Sequence, residues 1–366
     1  MTADETAAAP TPEAATAAPA PTVHPLRFHA RTGEYYRIWI VNTVLTILTL
    51  GIYSAWAKVR TTRYLYGSTE LDGGRFDYHA SPLTILRSRA IAAVLLGLYV
   101  GAGYFAPLAA NLVFLLLVLA TPVLLVWARR FALRNSSYRN VRFSFGGEAG
   151  EAARILLGWG LLSVLTLGLA YPYARWLRYR FLVDGSWWGN QPLRTTVGAR
   201  NFYGAYLVAG LLGLLGFLVG IAAIGFIGWR LAGEAGTSDD PAAAMPQWLI
   251  LALVVGLYAL LVPAWGWLQA ALLRRVLDTT TVGQHRLRAT FSPAREAWIL
   301  TTNLLAIAAS LGLLIPWAKL RLYRYRLAHV AVETEGSLAD AAARMGDDPS
   351  ATGEEIGEFF DFDFGL

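Results

Sequence analysis

Three rows of positively charged side chains, each mixed with aromatic residues, are the part of the sequence best suited to bind a ligand. In each row a Lys or Arg is followed five positions later by an Arg, and Tyr or Phe follows that Arg directly. Such cations can hold anionic lipid headgroups or another phosphate-bearing ligand, and each adds about 1 kcal/mol near an anionic surface. The alternative is interfacial anchoring, in which rings lie at headgroup level and cations extend into water. The six candidate contact residues are Lys58, Arg63, Arg175, Arg180, Lys319 and Arg324.

Residues for other chemistry are scarce. The chain has no cysteine, which excludes disulfides, thiolate metal sites and a cysteine nucleophile. Its five histidines are scattered, and neither a phosphate-binding Walker loop nor a nucleophile elbow occurs. We therefore predict no catalytic residues, no metal site, no cofactor and no enzymatic activity.

The composition indicates a membrane protein. Of the 366 residues, 55% are hydrophobic and only 15% are charged, whereas soluble domains carry about 25% charged residues. Seven stretches without Asp, Glu, Lys or Arg approach the length of a membrane-spanning helix. They cover 38–57, 90–106, 107–128, 155–174, 203–229, 247–273 and 297–318. We predict an all-α multi-pass membrane protein with four to seven membrane segments, and the lack of acidic residues in them disfavours a proton-coupled carrier.

Three of the stretches end in the same ten-residue motif, which indicates an internal threefold repeat. The motif reads hydroxyl, Leu, Gly, a variable part, an aromatic residue, Ala and a cation, in Thr49–Lys58, Thr166–Arg175 and Ser310–Lys319. Two longer apolar blocks, 90–128 and 203–273, lie between the copies and are each interpreted as a pair of spanning helices. The chain therefore alternates motif segments (38–57, 155–174 and 297–318) with helix pairs.

The distribution of cations favours four spans. If all seven stretches cross, the two sides carry 18 and 13 of the 31 cations. If the motif segments turn back instead, Arg230 alone lies outside and the other 30 face the cytoplasm, as the positive-inside rule requires. Gly51, Gly168 and Gly312 would permit the turn. We favour four spans with three re-entrant segments and cytoplasmic termini, and seven spans is the alternative.

Polar residues inside and outside the membrane segments complete the layout. Asn42 and Asn303 are intramembrane amides, which are expected to bond between helices or, alternatively, to line a substrate path.

Turn signals such as Asp72-Gly73 predict short cytoplasmic β-hairpins. We expect a disordered Ala/Pro-rich tail (1–27), a membrane domain (28–333) and an acidic tail (334–366) that is either solvated or docked on basic loops.

The first motif resembles a known family. Trp39 and Asn42, the run Thr49–Lys58, the pair Arg63-Tyr64 and the stretch 75–78 are similar to the YjgN family of bacterial inner-membrane proteins. The second motif departs from the pattern at its aromatic residue and cation, and the third lacks the Tyr. The resemblance implies a multi-pass location in the bacterial inner membrane and supplies no activity or catalytic residues.

Two functions fit these observations. The first is lipid or small-solute handling or transport through contacts with anionic headgroups. The alternative is a non-catalytic scaffold that recruits an unidentified cytoplasmic partner. Transport predicts a polar cavity near Asn42 and Asn303, and a scaffold predicts dry packing there. The expected partners are membrane lipids and not nucleic acid, and a homo-oligomer is compatible with the sequence.

Overall fold

A computed structural model describes residues 22–234, 247–334, 336–340 and 342. Most of both predicted tails, and the stretch 235–246 between the last two long helices, lie outside the described residues. Residues 22–27, which we assigned to the N-terminal tail, pair in a sheet.

The described helices form five antiparallel pairs. Neighbouring pairs pack side by side, and the last helix packs against the first, so the pairs form a ring. In chain order they are α1 (Thr32–Leu48) with α2 (Ser54–Gly67), α3 (Pro82–Phe105) with α4 (Pro107–Arg134), α5 (Ala149–Ala153), a π-helical turn (Arg154–Gly158) and α6 (Trp159–Leu165) with α7 (Tyr171–Asp184), α8 (Ala199–Glu234) with α9 (Gln247–Asp278), and α10 (Pro293–Ala309) with α11 (Ile315–Leu327).

Short strands connect the pairs and form one antiparallel sheet. They are β1 (Thr22–Pro25), β2 (Arg27–Phe28), β3 (Thr69–Leu71), β4 (Gly74–Tyr78), β5 (Ser136–Tyr138), β6 (Val141–Phe145), β7 (Ser186–Trp188), β8 (Gln191–Thr195), β9 (Thr280–Val282), β10 (His285–Ala289) and β11 (Val330–Thr334). Our prediction of an all-α fold is wrong, because these strands pair edge to edge in the order β1-β11-β10-β9-β8-β7-β6-β5-β4-β3-β2. A three-residue strand is stable only when it is paired on both sides, and that pairing joins segments far apart in the chain.

The sheet nearly closes on itself. Its two outer strands, β1 and β2, are consecutive in the chain and are separated only by Leu26, so one bent segment pairs with β11 on one side and with β3 on the other. Side chains from strands all round the sheet meet in one buried cluster, which they can do only on its concave face. Tyr138 lies at the centre, 4.8 Å from Phe76 and 5.6 Å from Trp188 between ring centroids. The barrel-like interior is therefore packed.

The same hydrogen bond joins strand to helix end in all five pairs. The N–H of the residue after the strand that precedes each helix pair donates to the carbonyl of a residue one or two positions past the end of that pair. The five bonds are His29 to Ser68, His79 to Asn135, Gly146 to Gly185, Thr196 to Thr279 and Thr290 to His329, at 2.8–3.1 Å. Each helix pair is thereby held at the same height on the sheet.

The three motif segments share one backbone turn. The Leu after the hydroxyl residue has φ of 50–52°, and Gly51, Gly168 and Gly312 have φ of 90–94°. Each glycine N–H donates to the carbonyl five residues before it, which is the bond of a Schellman motif. The hydroxyls of Thr49, Thr166 and Ser310 accept from the N–H four residues later, at 2.9–3.1 Å. Glycine and hydroxyl thus end one helix and start the next, so the chain reverses at the motif.

Asn42 and Asn303 hold the two helices of their pairs together. The Asn42 Nδ2 donates to the Ala57 carbonyl at 3.3 Å, and the Asn303 Nδ2 donates to the Ala318 carbonyl at 2.9 Å. Both residues are buried. These amides therefore bond between helices, and their described contacts are not those of a solvated path.

The helix pairs differ in length. In the described part of the chain, three helices are long and apolar enough to cross a membrane: Pro82–Phe105, Pro107–Arg134 and Ala199–Ile227. By contrast α1 and α10 have 17 residues each, or ~26 Å, and α11 has 13. A bilayer core is about 30 Å thick, so the motif pairs are short for a crossing.

Candidate functional site

The six predicted anion contacts have different surroundings in the structure. Arg175 lies between helices, where its guanidinium donates to the Tyr206 hydroxyl at 2.9 Å and to the Gln269 side chain. Lys58 and Lys319 each interact within the protein. The three pairs carry these cations at corresponding places of the motif.

Arg63, Arg180 and Arg324 are exposed, and each side chain also has a bonding partner within the protein. The Arg63 Nε donates to the Tyr78 carbonyl at 3.2 Å, and the Arg324 guanidinium donates to the Ala30 carbonyl at 2.9 Å. Arg180 pairs with Asp184 at 3.2 Å. These arginines fasten the ends of helices to neighbouring backbone or to a carboxylate, and they stay candidates for anion contact.

A tyrosine beside two of these arginines closes the base of its helix pair. The Tyr64 hydroxyl accepts from the Arg31 N–H at 2.9 Å and donates to the Arg31 carbonyl at 3.1 Å. Tyr325 makes the same two bonds with Ser292, at 2.8 and 3.2 Å. Burial is the largest cause that raises the pKa of Tyr64, so its hydroxyl stays protonated at neutral pH. The third pair has Phe181 at this position.

Sequence reasoning missed a second set of arginines. One exposed arginine lies in the first two turns of the first helix segment of every pair. In the described part of the chain, none of their side chains has a hydrogen-bond or ion-pair partner. They are Arg37, Arg87, Arg154, Arg200 and Arg295. The signal that could have revealed them is an arginine five to nine residues after every second strand of the chain, nine in the first three pairs.

The five arginines occupy one side of their helices. Arg37, Arg87 and Arg154 are each seven residues after the buried or glycine position that follows the strand, and Arg200 and Arg295 are three and four residues after theirs. At 100° per residue these offsets fall within a sector of about 100°. We name this set the arginine ring.

Each ring arginine begins an exposed apolar stripe. In α1, Arg37 is followed at helical spacing by Ile40, Val44 and Ile47, which are 49–68% exposed. The corresponding stripes start at Arg87 with Val94 and Leu98, at Arg154 with Leu161 and Leu165, at Arg200 with Leu207 and Leu211, and at Arg295 with Trp298 and Leu305. A cation followed by exposed apolar residues is the pattern of a helix that enters lipid from the headgroup level.

Comparisons with known proteins agree with a membrane protein of unestablished activity. The family model "Bacterial protein of unknown function (DUF898)" matches residues 23–359. The chain is 47% identical over 55 residues to the inner membrane protein YjgN of Escherichia coli K12, and 43% identical over 58 residues to YjgN of Salmonella typhimurium. These matches cover 15% and 16% of this chain and only 14% and 15% of the relatives. No solved structure matches.

The family match covers most of the chain, and the resemblance to YjgN is confirmed. The family carries no established activity. The chain therefore belongs to the DUF898 family of bacterial proteins of unknown function.

Proposed function

We propose that the protein is a multi-pass inner-membrane protein that holds anionic phospholipids at the cytoplasmic headgroup level. The observation that carries the proposal is the arginine ring, in which every helix pair presents one exposed cation at the start of an apolar stripe. Cations near an anionic membrane surface contribute about 1 kcal/mol each. Five of them around one molecule would recruit a shell of anionic lipids.

The proposed topology has four spans and three re-entrant hairpins. In the 18-residue apolar stretch that qualifies Ala199–Ile227 as a candidate span, only 6% of the residues are buried by the protein, so we infer that lipid covers the rest. At the motif turns Leu50, Leu167 and Leu311 are 94–95% exposed. Backbone that reverses at membrane depth is tolerated where protein packs around it. The sheet and both termini would then face the cytoplasm, in an inner membrane like that named for the YjgN relatives.

Lipid handling is favoured over solute permeation. A straight path along the ring axis would have to pass the sheet, whose interior is filled by the Tyr138 cluster. The amides of Asn42 and Asn303 are bonded between helices. Both features oppose an axial polar path, whereas the arginine ring faces the surroundings.

Removing the five charges tests the proposal. In the variant R37Q/R87Q/R154Q/R200Q/R295Q we expect bound phosphatidylglycerol to fall by about fivefold per site, the equivalent of 1 kcal/mol. Native mass spectrometry of purified protein with added phosphatidylglycerol measures the loss.

A matched control removes the same charge from the sheet. The exposed strand arginines Arg27, Arg75, Arg142, Arg286 and Arg288 are changed to Gln in a second variant. It should keep most of the bound lipid, because these residues lie on strands and not at the start of apolar stripes. Equal lipid loss in the two variants, or no loss in the first, would contradict the proposal.

A further inference from the structure

A cleft of about 670 Å³ opens at the base of the third helix pair. Its walls come from the end of β6, the start of α5, the last turns of α7 and the β7–β8 hairpin. The lining residues are Gly146, Gly147, Glu148, Glu151, Leu177, Arg180, Phe181, Asp184, Gly185, Trp187 and Arg194.

At the cleft this pair differs from the other motif pairs in two features. Phe181 replaces the tyrosine whose hydroxyl bridges to Arg31 in the first pair and to Ser292 in the fifth. Gly146 and Gly147 stand where the other motif pairs have His29-Ala30 and Thr290-Phe291. An added Cβ on Gly146 would meet only the Trp187 Nε1, at 3.6 Å, so the space in front of Gly146 is open. At Gly147 the Phe145 and Phe181 rings fill that space.

The lining carries charges of both signs. Arg180 and Arg194 are exposed cations, and Arg180 lies 5.7 Å from the Trp176 ring and pairs with Asp184. Glu148 and Glu151 are exposed carboxylates. Among the described residues, neither these two carboxylates nor the Arg194 guanidinium has an ion-pair partner. A ligand that carries both a phosphate and an ammonium group would complement all four.

We propose that this cleft binds a zwitterionic phosphate ester of an amino alcohol, as in the headgroup of an aminophospholipid. The phosphate would contact Arg180 and Arg194, the ammonium would contact Glu148 and Glu151, and Leu177 and Trp187 would cover the carbon chain. A purely anionic headgroup fits less well, because two carboxylates without partners would repel it.

The position of the cleft suits a lipid headgroup. Glu151 precedes Arg154 of the arginine ring by three residues, or ~5 Å along a helix. The cleft thus opens about one turn below the level at which we place phosphates. If the ligand is the headgroup of a membrane lipid, this inference rests on the proposed function. A soluble phosphate ester with the same two charges would need no membrane.

Lipid competition tests the proposal. The full chain, delipidated in detergent, is offered equal amounts of phosphatidylethanolamine and phosphatidylglycerol with identical acyl chains, and native mass spectrometry counts the first bound lipid. We expect about a tenfold preference for phosphatidylethanolamine, as one charge-assisted contact would provide. Both E148Q/E151Q and G146H should abolish this preference. The second variant introduces the histidine that the first pair has at the corresponding position, His29.

A control variant changes a glutamate outside the cleft. Glu34 occupies the position of Glu151 in the first pair, where it bonds to Tyr64, so Glu34→Gln should keep the preference.

The soluble probe separates the two sources. Saturation-transfer NMR with O-phosphoethanolamine should show binding to the wild type and not to G146H. If this probe binds while the two lipids compete equally, the ligand is the free ester. Equal lipid competition without probe binding, or a preference that survives in both E148Q/E151Q and G146H, overturns the proposal. The arginine-ring variant keeps the cleft, so loss of phosphatidylglycerol there and loss of the preference here are independent results.

Discussion

Residues at corresponding positions of the three motif pairs make different contacts between the two helices of their pair. Asn303 uses both ends of its amide, because its Oδ1 also accepts from Arg321 at 3.0 Å. The Oδ1 of Asn42 is buried without a hydrogen-bond partner. The third pair has Trp159 at this position, and its ring packs 4.4 Å from that of Tyr173. Polar and aromatic solutions therefore hold equivalent helices together.

Replacing each asparagine by leucine should separate these roles. Asn303→Leu leaves the Ala318 carbonyl and one N–H of Arg321 without a hydrogen-bond partner. We therefore expect the free energy of unfolding to fall by about 1–3 kcal/mol. Asn42→Leu removes longer bonds, to the Ala57 carbonyl at 3.3 Å and the Thr61 hydroxyl at 3.2 Å. It also removes an unpaired buried oxygen, so its loss should be smaller. Thermal unfolding in one detergent compares the two variants. A larger loss for Asn42→Leu would contradict the assignment.

At the scale of elements, the hydroxyl-Leu-Gly motif folds each motif segment into a helical hairpin. By its length alone, each segment would be interpreted as one membrane-spanning helix. The turn places Leu in the left-handed region, which costs roughly 1 kcal/mol or more. That Leu is almost fully exposed in all three copies. We infer that contact between the leucine side chain and lipid offsets the strain, since a glycine at this position would be relaxed but would bury nothing.

The motif glycines should resist substitution for backbone reasons alone. Gly51→Ala and Gly168→Ala meet no atom within 4 Å, but φ is +94° and +90°. We expect each to lower stability by about 1–2 kcal/mol. Gly210→Ala, in α8 with equally open space, should instead raise stability by about 0.5–1 kcal/mol. Thermal unfolding of the three variants checks the contrast, and equal effects would show that the turn is not what makes these glycines necessary.

At the scale of the whole molecule, four β-hairpins and the pairing of β11 with β1 attach every helix pair to one sheet. The first helices of all pairs leave the sheet in the same direction, because the same strand-to-helix hydrogen bond recurs at each junction. A strand of the same sheet precedes and follows each of the five helix pairs, so every pair must return to the level at which it started. This is the structural reason to prefer re-entrant motif pairs to single crossings.

Cysteine accessibility tests that arrangement, because the chain has no native cysteine. Ala106, between α3 and α4, and Gly198, just before α8, are both exposed. We expect Ala106→Cys to react with an impermeant maleimide in intact cells and Gly198→Cys to react only after permeabilisation. Seven alternating spans would put both positions on the same side, so equal labelling would reject the four-span topology.

The sequence by itself determined the apolar segments, the turn glycines and the family, because each depends on residues close together in the chain. It left two roles open for Asn42 and Asn303, and the structure shows them bonded between helices. Only the tertiary structure decided the sheet, since strands of two to five residues from different hairpins pair across gaps of about 40 residues or more and leave no local signal of those partners. It also decided which cations are free to act. Arg175 is bonded between helices, whereas Arg37 and its counterparts, which show no clustering in the sequence, lie within the first two turns of helices that start from a common sheet.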